Sequence, residues 1–447
     1  MKKLCFVIVS SFTIVLVNAQ DTTKGASLNR VSLHWQTTII PQYHFNFNPP
    51  YTGKNSLLPS EPVATSFTST LFFNYKASKN TYFVFNPELA AGKALGVGGG
   101  TTGVAGFPNG ETYRVGNPKL NVFIARLYAE QRFALSKVKE AVEDDENQIS
   151  ENTHRDYVSF IVGKFSLTDF FDESTISHDP RTQFMNWSLM GSGGWDYPAN
   201  TRGYTMGLVV QLKVKNLAVR YANVAMPTTA NGPNLEWKGS DAMGQVVEFA
   251  IENFHLIKTT PNLNHSFHLG ICSNRAFMGN YATSINTGLQ NNLPPDITDS
   301  RQYGRTKNAF YITLDNNWNK VHHFIKFSKN DGKNETYAFT EIDNSMATGL
   351  QFDGSLWKCK EDVIGIAFVE NGLSDNHRTY LENGGYGFII GDGKLNYDKE
   401  KILETYYSCR FNKHVAITAD YQKVINPAYN KDRGSVDIVS LRLHTTL

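Results

Sequence analysis

The chain has 447 residues, with 43 Lys and Arg against 41 Asp and Glu, and is 41% hydrophobic and 13% aromatic. A balance this close to neutral excludes a polybasic nucleic-acid or membrane-surface role, which needs clustered positive charge. After the first twenty residues no segment offers the roughly 18 consecutive apolar residues of a transmembrane helix, so any passage through a membrane has to be made by strands.

Lys2 and Lys3, an apolar run from Leu4 to Val17 and the small-residue site Val17-Asn18-Ala19 have the layout of a cleavable secretory signal over residues 1–19. The protein is expected to leave the cytoplasm, with residues 20–447 as one domain. No cysteine directly follows Ala19, so a lipid-modified N-terminal cysteine is not expected. The three remaining cysteines, Cys272, Cys359 and Cys409, are an odd number, which leaves at least one thiol unpaired and argues against a disulfide framework.

Two-residue alternation of apolar and polar side chains then marks strands near 33–43, 66–76, 81–88, 121–133, 157–165, 203–213, 216–225, 245–255, 265–273, 308–316, 320–328, 345–353, 362–370, 403–411, 414–422 and 435–446. Short and long connections alternate, the pattern of an all-β transmembrane antiparallel barrel of about sixteen strands. One connection, 134–156, is long on the short side. It carries the charge run Lys137 to Glu151, which reads as a solvated loop or helical insert. In the strand near 121–133, Phe123, Ala125, Leu127, Ala129 and Phe133 share one side, and Arg126, Tyr128, Glu130 and Arg132 the other. A lipid-facing arginine at mid-depth costs about 2–4 kcal/mol, so the polar row is expected to line an interior. A large soluble β protein would alternate in the same way. The last strand argues for closure, because Val439, Leu441, Leu443, Thr445 and Leu447 alternate with polar residues up to the carboxyl end.

The strands near 157–165 and 203–213 frame a segment bearing Asp169, Asp172, His178, Asp179, Arg181, Trp187 and Trp195, more functional groups than a plain connector needs. Burying one large aromatic side chain is worth roughly 1.5–3 kcal/mol, so this loop is expected to fold into the barrel and narrow it, with Arg181 pairing Asp172 or Asp179. Aromatic faces with carboxylates and an arginine fork suit sugars. Ordinary packing is the bland alternative for Trp187 and Trp195, and the paired carboxylates of a secreted glycoside hydrolase the sharp one for Asp169 and Asp172. The run from Gly98 to Gly103 matches a dinucleotide fingerprint but neither follows a long buried strand nor opens a helix, so it reads as an external loop. His265/His268 and His322/His323 lack an acid or cysteine set at ligand spacing; no metal and no cofactor are expected.

Several long strings, HWQTTIIPQYHFNFNPPYTGKNSL, NPEL, VAGFPNGETYRVG, VGKFSLTDFFDESTISHDPRTQFMNWSLMGSGGWDYPANTRGYTMG, EDVIGIAFVENGLSDNHRTYL and YQKVINPAYNKDRGSVDIVSLRLH, resemble the carbohydrate-selective porin family of outer membranes (OprB-like). That resemblance implies a sixteen-stranded outer-membrane barrel narrowed by inward-folded segments, which passes monosaccharides such as glucose by facilitated diffusion and is not an enzyme. It carries over Asp169, Asp172, Asp179, Arg181, Trp187, Trp195 and Asp196. Leu447, where an aromatic residue is usual, and the acidic insert at Glu143 to Glu151 depart from the family pattern. Small sugars and outer-membrane lipid are the expected partners. A nonselective structural barrel is the remaining alternative.

Overall fold

The computed structural model describes residues 30–96, 102–112, 119–255 and 263–447. The expected signal over residues 1–19 and most of the Gly98–Gly103 run lie outside them. All sixteen expected strands are present: β1 (Val31–His44), β2 (Ala64–Ser78), β3 (Thr81–Gly92), β4 (Asn121–Ala134), β7 (Tyr157–Phe165), β8 (Thr205–Val214), β9 (Leu217–Val224), β10 (Met243–Phe254), β11 (Leu263–Met278), β12 (Gln302–Trp318), β13 (Val321–Asn330), β14 (Asn344–Asp353), β15 (Val363–Gly372), β16 (Glu400–Asn412), β17 (Val415–Ile425) and β18 (Ser435–Thr446). Each pairs antiparallel with the next, β4 pairs with β7, and β1 pairs with β18 in a register from Gln36↔Thr446 to His44↔Ile438, so the barrel is closed and has no open edge.

Lys215 and Asn319 take up positive φ in two-residue connections at one end, the backbone that tight hairpins between twisted strands require. The loops at the other end are long. Outside, Leu33, Phe83, Leu127, Phe160, Val162, Ile271, Phe368 and Leu441 stand exposed around the wall. So much apolar surface would drive aggregation in water and is the contact a bilayer requires.

Strand β4 departs from its expected alternation. Arg126 lies opposite Asn86, but Ile124 lies opposite Pro87, so one residue, Ala125, is extra. Pro87 has no N–H to give to the ladder, and the bulge sits beside it. Everything before the bulge changes face. Val122 and Ile124 are exposed outside, whereas Phe123, expected beside Leu127, turns inward beneath Arg202, whose guanidinium lies 4.3 Å from the ring. Beyond the bulge, Arg126, Tyr128, Glu130 and Arg132 face the interior as the alternation requires.

The charged insert corrects a second expectation. The run is solvent-exposed over 137–141 and 143–146, as expected, but it is a hairpin and neither a plain loop nor a helix: β5 (Lys139–Val142) pairs with β6 (Glu151–His154) and enters the barrel from the short-turn end. Inward-facing wall residues hold it. Glu151 pairs with Lys76 and accepts from the Tyr82 hydroxyl at 2.5 Å, and Asn147 accepts from Asn86 at 2.7 Å. Glu151 is matched by the Lys76 charge inside the lumen, a partner that local composition cannot reveal.

Candidate functional site

The site is the lumen, and the loop from 166 to 204 organises it. Its aromatic residues find cover only inside the barrel: Phe171, Phe184, Trp187, Trp195 and Tyr197 are all buried. Trp187 stacks on Phe107 at 5.0 Å and Trp195 on Tyr311 at 4.9 Å. Asn186 caps a single helical turn, Trp187–Met190, by accepting from the Ser188 N–H. The loop leaves β7 and reaches the opposite wall. Met185 and Asn186 donate backbone N–H groups to Glu404 of β16 (2.5 and 2.9 Å), and Arg442 of β18 donates to the carbonyls of Pro180 and Gln183 (2.8 and 2.6 Å). Lys326 of β13 donates to the carbonyls of Ser177 and Met190 (2.8 and 3.0 Å). The segment therefore spans the lumen as a cross-bar tied to the wall by these buried hydrogen bonds.

The expected site residues divide into two groups. Arg126 and Asp169 form a two-pronged pair at 2.7 and 2.5 Å, with side chains 11% and 16% exposed. Arg132 and Glu130 form another at 2.8 and 2.9 Å, with the arginine 26% exposed. Water in the lumen reaches both pairs. Tyr128 lies between them, against Phe165 of β7 and Phe170 of the loop, and half-buried Asp179 holds the turn by accepting from the Arg181 N–H at 3.1 Å.

The second group is buried. Asp172 accepts from the Ser192 N–H (2.6 Å), the Ser192 hydroxyl (3.0 Å) and the Thr313 hydroxyl (2.5 Å), and Trp187 and Trp195 are each 2% exposed. Arg181 is 4% exposed. Its expected side-chain partners, Asp172 or Asp179, are replaced by Glu88 of β3 and Glu111 of the β3–β4 loop, both at 2.9 Å. The correction has a geometric cause: a buried guanidinium takes the carboxylates its fork can reach across the lumen, not those nearest in sequence.

Glu88, Glu111 and Glu146 belong to this site and are not among the expected site residues, although the strings NPEL and VAGFPNGETYRVG contain the first two. Alternation continued along β3 from Tyr82 would place Glu88 inward, because Tyr82, Val84, Asn86 and Glu88 are all buried on one face. Alternation does not mark Glu111, which lies in the string VAGFPNGETYRVG that carries part of the family resemblance. A third cluster is hidden for the same reason. Arg220 of β9 pairs with Glu248 and Glu252 of β10, while His268 and the Tyr311 hydroxyl also approach Glu248 (3.4 and 2.6 Å).

Glu146, at the hairpin tip, joins the insert to the cross-bar. With its amide turned to satisfy both neighbours, Gln36 donates to Glu146 at 3.1 Å and accepts from Arg181. Crowding by protein, then the Asp179 carboxylate, pushes the Glu146 carboxyl up to about 7, although lumen water still reaches the side chain. The docked hairpin thus holds this proton more tightly than a free one, so docking is strongest below the ordinary glutamate range and weakens as pH rises toward 7. A negative charge should appear in the lumen over the same window. The cation-to-anion permeability ratio is expected to rise as pH is taken from the acid side of this window to the alkaline side, with its midpoint near 7, and Glu146→Gln should flatten that step. A step that survives in the variant would assign it to a group other than Glu146.

Among known proteins, the fold is similar to the high-pH structure of Pseudomonas putida OprB, at 13% identity and a TM-score of 0.65, covering 93% of this chain and 94% of that one. Salmonella typhi OmpF in complex with daunomycin is similar at 9% identity and a TM-score of 0.51, covering 93% and 97%. At such identities the likeness shows the fold alone. No curated protein matches in sequence. The model of the carbohydrate-selective porin, OprB family, matches residues 54–447, nearly the whole of the barrel, and the chain belongs to that family.

Proposed function

We propose that this outer-membrane barrel passes single neutral monosaccharides, glucose among them, by facilitated diffusion without chemical conversion, and that Arg126, Asp169, Glu130, Arg132, Tyr128 and Asp179 make the sugar contacts. Asp172, Arg181, Trp187 and Trp195 hold the cross-bar in place. The observation that carries this reading is the row of water-reached ion pairs, Arg126–Asp169 and Arg132–Glu130. Each offers donors and acceptors side by side with no net charge, which suits a polyol and gives an ion of either sign little to gain. Asp169 is engaged by Arg126 and Asp172 lies beneath Ser192 and Thr313, an arrangement that does not offer two free carboxylates to a glycosidic bond. Swelling of liposomes carrying the protein tests the reading. Glucose should enter faster than an uncharged non-sugar of equal size, with a disaccharide slower than both. Equal rates for glucose and the non-sugar would leave a nonselective barrel.

A further inference from the structure

Between the β5–β6 hairpin and the wall lies a cavity of about 190 Å³, walled by Tyr82, Tyr128, Glu130, Arg132, Asn147 and Tyr157 among others. That is more than about ten times the space one water needs, enough for a single sugar ring with little to spare. Asn74 of β2 also lines it. This side chain is 2% exposed, and neither its amide nitrogen nor its amide oxygen has a partner among the described residues. A buried amide with both ends unmet is costly, whereas Lys76, Glu130, Arg132 and Glu151 around the cavity are already paired. Glu130 holds Arg132, Glu151 holds Lys76, and Arg132 lies over the rings of Tyr82 (4.6 Å) and Tyr157 (5.3 Å). An ion that bound at Arg132, Glu130 or Glu151 would have to break one of these pairs. A neutral polyol could bond the Asn74 amide and the spare lone pairs of the carboxylates without breaking any.

The cavity lies toward the short-turn end, because Arg132 is two residues from the end of β4. It shares Glu140, Arg155 and Lys213 with a second cavity of about 230 Å³, lined by turn residues Lys215 and Asn216, at that same end. We propose that this space is a monosaccharide subsite at the Arg132 end of the sugar-contact row, on the exit side of the cross-bar, which shares Tyr128, Glu130 and Arg132 with the row and adds the hairpin wall and Asn74 as the recognising amide. The proposal rests on the carbohydrate-porin reading above.

The test uses the whole protein in planar bilayers, with glucose added to each side in turn as a blocker of the ion current. In the unaltered protein, glucose should interrupt the current from the hairpin side. Asn74→Leu removes both amide ends at similar volume, and Val142→Trp fills the cavity from the hairpin. Each should raise the half-blocking glucose concentration from that side tenfold or more, with little change from the other side. Heat-modifiable migration on gels selects folded barrels for the comparison, and two variants guard against one failing to fold. Unchanged half-blocking concentrations in a folded variant would overturn the subsite while leaving the carbohydrate reading intact. Block of the unaltered protein by an equal-sized non-sugar as strong as that by glucose, or no block from either side, would overturn the carbohydrate reading and this inference with it.

Discussion

Arg181→Met should unlatch the cross-bar and raise conductance for salt and glucose together. Arg181 is the cation placed between Glu88 and Glu111, which are 1% exposed or less. Breaking a buried pair by removing one partner typically costs about 3–5 kcal/mol, and here Glu88 and Glu111 both lose the guanidinium that bridges them. The methionine fills much of the volume, so the loss is mainly electrostatic. The sixteen-strand wall does not depend on this contact, and the barrel should still assemble while the segment around Pro180 and Gln183 loosens. Joint replacement, with Glu88→Gln and Glu111→Gln added, should recover most of the parent behaviour, since the two groups that faced the guanidinium are then neutral. Single-channel recording reads the current and its noise, and liposome swelling reads the sugar. A glucose-to-salt ratio that falls sharply in Arg181→Met while total conductance stays the same would mean that Arg181 bonds the sugar itself.

What the sequence reveals of this site depends on the reach of each signal. Alternation is local and strong, so all sixteen strands and the inward row Arg126, Tyr128, Glu130 and Arg132 follow from it directly. It fails where one residue is inserted. Pro87 on the neighbouring strand dictates the bulge at Ala125, and nothing within β4 itself announces that Phe123 changes face. Inward folding of the 166–204 loop is legible from its aromatic content, since those rings have nowhere else to be buried. The choice of partners is not. Arg181 meets Glu88 across 93 residues and Glu111 across 70, and the acidic hairpin meets Lys76 across 75. Such pairings are set by barrel closure, which brings remote strands to one cross-section, and composition alone shows only an acidic run that reads as solvated.

Asp196→Ala should release the second segment that narrows the lumen. Asp196 closes the cross-bar by accepting three backbone N–H groups from the β13–β14 loop: Tyr337 at 2.6 Å, Ala338 at 2.9 Å and Phe339 at 3.0 Å. All three residues are buried, and Phe339 packs against Trp187 (5.3 Å) and Tyr197 (5.2 Å), so the carboxylate fixes one inward loop upon the other. Each buried donor left without an acceptor costs about 1–3 kcal/mol. Three together exceed what the aromatic contacts offset at this end of the loop. Asp196→Asn should lose less. Its one oxygen can still serve Ala338 and Phe339, while its NH2 group faces the Tyr337 N–H, donor against donor. Hydrogen exchange at residues 337–339 gives the readout: alanine should accelerate it more than about a hundredfold, the equivalent of some 3 kcal/mol, and asparagine by clearly less. Conductance noise should rise in the same order, because the two inward loops then fluctuate separately. Exchange at Ala338 and Phe339 as slow in Asp196→Ala as in the parent would show that ring packing alone holds the loops together, and that the carboxylate serves only to satisfy its own burial.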